Sequence, residues 1–149
     1  SDVYKRQVQG SIIPDLPFEE SSAFKKLFEK YNQTIIDFVA PTDSLQRIQQ
    51  VTKESKKFIY LVAYTGITGS GQHEDLSSVI QNIKNSSTTP IYLGFGVDEK
   101  TAKERSKNVD GVIVGSAFVK YLIDETLSNS EKMAKINQIA KKIKEEINS

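Results

Sequence analysis

Cysteine is absent from this 149-residue sequence, which removes disulfides, thiolate nucleophiles and Cys-based metal sites from consideration. Histidine occurs once, as His73, so neither a His-rich metal centre nor a Ser–His–Asp set can be built, and no metal site is expected. An excess of one charge is also missing. The formal net charge is +1, with Lys alternating with Glu and Asp, and such a balance gives no reason to expect binding to nucleic acid or to a membrane surface. No apolar run approaches the ~20 residues of a transmembrane span, and the first residues do not read as a signal peptide. These absences lead us to expect a soluble, cytoplasmic protein.

What is present is a regular alternation. Residues 11–13 read as a short strand, stopped by Pro14 and Pro17, which cannot donate to a sheet ladder. Phe24, Leu27, Phe28 and Tyr31 then recur on one helical face. A second strand is expected over 34–39, followed by a helix capped by Thr42 or Asp43 that buries Leu45, Ile48 and Val51. The continuous apolar run 58–63 suits a strand buried on both faces of a parallel sheet. The glycine-rich segment 64–71 follows, then a helix with the stripe Leu76, Val79, Ile80 and Ile83. Strands at 91–93 and 111–114 enclose a polar helix from Asp98 to about Lys107. Two last helices run from about Ala117 and about Ser130, the second presenting Met133, Ile136, Ile139, Ala140, Ile143 and Ile147 on one side. No hairpin signal interrupts the pattern, so the fold class is α/β with a parallel sheet. Five such units can form a doubly wound sheet or an arc of a (β/α)8 barrel, and periodicity does not choose between them.

Residues 1–7 carry no apolar period. We read residues 1–9 as a non-native or disordered leader resembling translated sequencing-adapter read-through, and residues 10–149 as the structured part. The chain is also well short of the roughly 250 residues of a complete barrel, so the reading frame is expected to begin mid-gene.

Three glycine pairs stand where strands give way to helices: Thr68-Gly69, Phe95-Gly96 and Gly115-Ser116. Glycine lets an anion approach the backbone closely, and a helix N-terminus supplies unpaired N–H groups. Any one pair could be an ordinary turn; three at consecutive strand ends favour a phosphate site. Tyr60 and Phe95 lie at or near strand ends and could wall an aromatic substrate, or simply pack the barrel core. Asp15 could bind a substrate or cap its turn. Glu19, Glu20, Asp43, Glu74 and Asp75 suit helix starts, and His73 a solvated loop. No catalytic constellation emerges from these residues.

Six motifs in order carry a specific resemblance: residues 13–20 (IPDLPFEE), 39–42 (VAPT), 58–60 (FIY), 65–69 (TGITG), 94–97 (GFGV) and 110–117 (DGVIVGSA). Together they resemble the tryptophan synthase α chain from about residue 10 onward. The resemblance implies a (β/α)8 TIM barrel of which this chain holds strands four to eight. It also implies retro-aldol cleavage of indole-3-glycerol phosphate to indole and glyceraldehyde 3-phosphate. By the same resemblance, Gly69, Gly96, Gly115 and Ser116 would hold the substrate phosphate. Tyr60 and Phe95 would line the indole and glycerol part with Phe38 nearby, and Thr68 would sit on a closing loop. Asp15 and Pro17 would lie on a rim facing the β subunit of an α2β2 complex. No cofactor is implied for this chain, since the family's pyridoxal phosphate belongs to the β subunit. The family's catalytic glutamate and aspartate fall upstream of residue 1, so this chain alone is expected to be inactive. The competing readings are another phosphate-binding barrel enzyme of biosynthesis, or a non-catalytic half-barrel that binds phosphorylated metabolites. Open sheet edges lead us to expect poor solubility or dimerisation.

Overall fold

A computed structural model describes residues 8–63 and 76–149. Its centre is a five-stranded sheet in the order β1-β2-β3-β4-β5. The strands are β1 (Gly10–Ile12), β2 (Thr34–Val39), β3 (Ile59–Val62), β4 (Ile91–Gly94) and β5 (Gly111–Ile113), and each pairs in parallel with the next. Doubly wound sheets reverse direction partway across, whereas barrel strands follow chain order. The strictly sequential order therefore settles the alternative left open by periodicity: the chain forms an arc of a (β/α)8 barrel.

The helices are α1 (Ser21–Glu29), α2 (Leu45–Glu54), α3 (Ser77–Ser86), α4 (Ala102–Arg105), α5 (Ser116–Leu122) and α6 (Asn129–Ile147), with a 3-10 turn at Phe18–Glu20. Alternation along the strands sends every second side chain outward, beneath the helices. Val39, Ile59, Leu61, Ile91 and Leu93 form that outer face and join Ile48 and Val51 of α2 and Val79, Ile80 and Ile83 of α3 in one core. A second cluster gathers Val97, Ala102, Ile139 and Ile143, so α6 is packed against the segment that follows β4.

Three expectations need correction. Ser44, rather than Thr42 or Asp43, caps α2: its backbone is extended and its Oγ accepts the Arg47 N–H at 3.2 Å. The cap therefore lies later than expected, and Leu45 in the first turn is half exposed while Ile48 and Val51 are buried. The helix expected from Asp98 to Lys107 shrinks to the four residues of α4, because the Asp98 carboxylate takes the N–H groups of Lys100 and Thr101 into a turn first. The α1 stripe is shorter than expected and largely uncovered: Phe24 is 47% exposed, and Tyr31 falls beyond the helix end at Glu29. β1 is a sheet edge, and among the described residues no element lies over this face of α1. Similarly, Met133 at the start of α6 is exposed, and only Ile139 and Ile143 of its apolar side are fully buried.

A charged contact ties the first layer together. Asp37, on the outward face of β2, is buried and meets Lys25 Nζ of α1 at 2.7 Å and Ser55 Oγ at 3.0 Å. Lys25 also reaches Glu54 at 3.4 Å and lies 4.5 Å above the Phe18 ring. Removing one partner of a buried pair strands the other charge, at a cost of about 3–5 kcal/mol. Lys25→Met should therefore lower the urea midpoint sharply, whereas Lys25→Met combined with Asp37→Leu should recover most of the loss. Equal midpoints for Lys25→Met and the native chain would show that the pair does not anchor α1.

Candidate functional site

The C-terminal ends of parallel strands converge on one rim, and each strand end contributes a turn to it. Residues 13–17 follow β1, residues 40–43 follow β2, Phe95-Gly96 follows β4 and Gly115 follows β5. Thr68 and Gly69, in the segment after β3, lie outside the described residues, as does His73.

The inner face of the sheet is aromatic where the outer face is aliphatic. Phe38 pairs in register with Tyr60, and Tyr60 with Tyr92. The Phe38 and Tyr60 rings stand 5.1 Å apart at 36°, and the Tyr60 and Phe95 rings 6.2 Å apart and nearly edge-on. The three residues singled out as an aromatic wall are thus contiguous. Tyr60 is buried and Phe95 is 56% exposed, so the row leads from the interior to the open rim. Burial pushes the Tyr60 phenol above its ordinary value, further from ionisation.

The row depends on Gly94 in a way the sequence reading did not foresee. A Cβ placed on Gly94 would lie 2.0 Å from Tyr60 Oη and 2.2 Å from its Cζ. The phenol of β3 leans along the sheet into the space that a side chain on β4 would fill. The available signal was a glycine ending an otherwise apolar strand, which marks close approach of another group.

The two described glycine turns differ in construction. Phe95 has φ 69° and Gly96 φ 67°, two consecutive left-handed residues. Such a backbone is unfavourable for phenylalanine and persists only where its surroundings impose it, commonly at ligand sites. Asp98 closes this turn. Burial would raise its carboxyl, but hydrogen bonds from Lys100 and Thr101 outweigh that and hold it below the ordinary range. Gly115, the residue before α5, has φ −118° and ψ −76°, and an added Cβ there would meet nothing within 4 Å. Neither strain nor packing within the described residues demands glycine at this position, so the open space is available to a ligand. Ser116 opens α5; the Gly115 carbonyl takes the N–H groups of Phe118 and Val119, which leaves those of Ser116 and Ala117 at the open end of the helix.

Asp15 and Pro17 are exposed on the rim after β1. They border a cavity of about 220 Å³ together with Phe18, Phe38 and Arg47. Arg47 was also not foreseen. It pairs with Glu19, meets Asp43 at 3.2 Å and lies 5.9 Å from the Phe18 ring centre. The Asp43–Arg47 spacing of four residues was the available clue. Among the described residues no group of three or more His, Cys, Asp or Glu side chains could hold a metal ion, and no helix is long and apolar enough to cross a membrane.

The family profile described as tryptophan synthase alpha chain matches residues 1–148. The tryptophan synthase alpha chain of Wolinella succinogenes is 55% identical over 143 residues, covering 95% of this chain and 56% of that protein. The one from Campylobacter jejuni subsp. doylei is 40% identical over 119 residues, covering 78% of this chain and 48% of that protein. The solved tryptophan synthase subunit alpha from Campylobacter jejuni superposes with a TM-score of 0.77 at 36% identity, over 88% of this chain and 53% of that one. The chain spans about half the length of the curated relatives it matches.

The Gly94–Tyr60 contact yields a direct test. Gly94→Ala should destabilise the fold by about 1–3 kcal/mol, the usual cost of overpacking. Tyr60→Ala in the same chain should relieve that clash, so the two changes together should cost clearly less than their sum in urea denaturation. Strict additivity would mean that the ring does not occupy the space above Gly94.

Proposed function

The chain belongs to the tryptophan synthase alpha chain family, and from that premise we propose that it supplies the aromatic wall and phosphate cradle of an indole-3-glycerol phosphate lyase. The observation that carries this reading is the continuity of the Phe38–Tyr60–Phe95 row with the left-handed turn at Phe95-Gly96. The substrate has an apolar indole ring at one end and a phosphate dianion at the other. An aromatic wall that ends at a glycine turn offers the matching features in the matching order.

In this reading the rings of Phe38, Tyr60 and Phe95 shelter the indole, the backbone at Gly96, Gly115 and Ser116 binds the phosphate together with Gly69, and Thr68 lines the substrate. Holding both ends fixes the bond between the indole ring and the first glycerol carbon. Cleavage requires a proton delivered to the ring carbon and a proton taken from the hydroxyl on that glycerol carbon. The O–H electron pair becomes the aldehyde C=O, and the electrons of the broken C–C bond return to the ring. None of the residues lining the wall is a carboxylate suited to either transfer, and the resemblance puts the family's glutamate and aspartate ahead of residue 1. The 149 residues therefore bind and orient but do not turn over substrate. No cofactor is needed for these proton transfers. Asp15 and Pro17, exposed on the rim, belong to the surface offered to a β subunit, which carries the pyridoxal phosphate.

Indole release from indole-3-glycerol phosphate tests the proposal. The assay uses the 149-residue chain and a chimera preceded by the corresponding upstream part of the Wolinella succinogenes chain. Release by the chimera alone is the expected result. Release by the 149 residues unaided would overturn the assignment of both proton transfers to upstream carboxylates. A folded chimera that binds phosphate without releasing indole would favour a phosphometabolite-binding module instead.

A further inference from the structure

The turn at Phe95-Gly96 has little helix behind it to hold it in place. α4 has only four residues, and its buried contribution to the second core is Ala102. Val97, immediately after the turn, is 3% exposed and packs in the same cluster. Gly96, which links β4 to the Val97 anchor, has φ 67°, and glycine populates positive and negative φ with similar ease. Something must select the left-handed state.

The selecting contact is a hydroxyl. Thr101 Oγ1 lies 2.8 Å from the Gly96 carbonyl oxygen and accepts the Asp98 N–H at 3.0 Å. It also lies 3.0 Å from Asp98 Oδ1, but that oxygen already accepts the N–H groups of Lys100 and Thr101 at 2.9 Å each. The hydroxyl hydrogen is therefore best used on the shorter contact, the Gly96 carbonyl. One side chain thus grips the glycine's peptide and the start of the Asp98 turn together. With the carbonyl fixed, the backbone around Gly96 loses the freedom to swing, and its N–H keeps a single aim.

We propose that Thr101 is a positioning residue for anion binding, its hydroxyl holding Gly96 in the geometry that presents backbone N–H groups to a phosphate. The inference rests on the phosphate reading of Gly96 given above and adds the residue that pre-organises it. Pre-organised donors bind an anion without first having to be ordered, so loosening them appears as lost affinity. Thr101 does not touch the anion itself; it acts through Gly96.

The test is a titration of the 149-residue chain with inorganic phosphate, followed by the ¹⁵N amide shifts of Gly96 and Gly115 and by the melting temperature. Thr101→Val keeps the shape and removes the hydroxyl; Thr101→Ser keeps the hydroxyl. Thr101→Val should weaken phosphate binding about tenfold, equivalent to 1.4 kcal/mol, and Thr101→Ser should restore affinity to within about twofold of the native chain. The Gly96 amide should broaden or move in Thr101→Val even without phosphate, while amides in the core of α3 stay in place. Equal affinity for Thr101→Val and the native chain, with phosphate shifting Gly96 in both, would overturn the inference and leave the phosphate site standing. Failure of phosphate to shift Gly96 or Gly115 in the native chain would overturn the phosphate reading and this inference with it. If Thr101→Val does not fold, a tenfold loss in Thr101→Ser would also count against the proposal, since the hydroxyl is retained there.

Discussion

Tyr60 can lie along the inner face of the sheet only because position 94 carries no side chain. That vacancy on β4, filled by a phenol from β3, is the constraint on which the site depends. A methyl group there would fall 2.0 Å from the phenol oxygen. The ring in turn sits between Phe38 and Phe95, so its placement sets the course of the whole aromatic row. Parallel register then carries the row to the rim, since Phe38, Tyr60 and Tyr92 occupy matched positions on adjacent strands. The outward residues of the same strands meet α2 and α3, so one alternating pattern makes both the aliphatic core and the aromatic wall.

The two faces differ in how completely they are satisfied. The outer core is closed, with Ile59, Leu61, Ile83 and Val51 almost fully removed from solvent. The rim is strained and open, with Phe95 left-handed and Gly115 facing empty space. Strain of this kind persists because the surroundings are firm. Here the firmness comes from far along the chain: Ile139 and Ile143 of α6 pack on Val97 and Ala102, which follow the Phe95-Gly96 turn. The last helix of the chain is therefore part of the support for a turn about forty residues earlier.

Much of this was legible in the sequence, for a physical reason. Apolar runs such as 34–39 and 58–63, and the Leu76–Ile83 stripe, carry periods that only one local structure can bury, so the five strands and α3 fall where expected. Tyr60 and Phe95 could be named because strand ends are where parallel sheets bind ligands, and Phe38 through the family resemblance. What was not legible depends on neighbours distant in sequence. The role of Gly94 is defined by a ring on another strand, and Arg47 gains meaning from Glu19 and Phe18 after folding. The truncation of α4 arises because Asp98 and Thr101 make better use of the backbone than a helix does. The period of the α1 stripe reports which residues share a face, not whether anything covers it.

The central claim is that one ligand can lie with its ring on the aromatic row and its phosphate at the glycine turns. The most direct measurement is a set of intermolecular NOEs between indole-3-glycerol phosphate and the isotope-labelled 149-residue chain. The account predicts indole contacts to Phe38, Tyr60 and Phe95 together with amide shifts at Gly96, Gly115 and Ser116. Indole contacts confined to the cavity beside Phe18 and Arg47, or to the exposed face of α1, would contradict it.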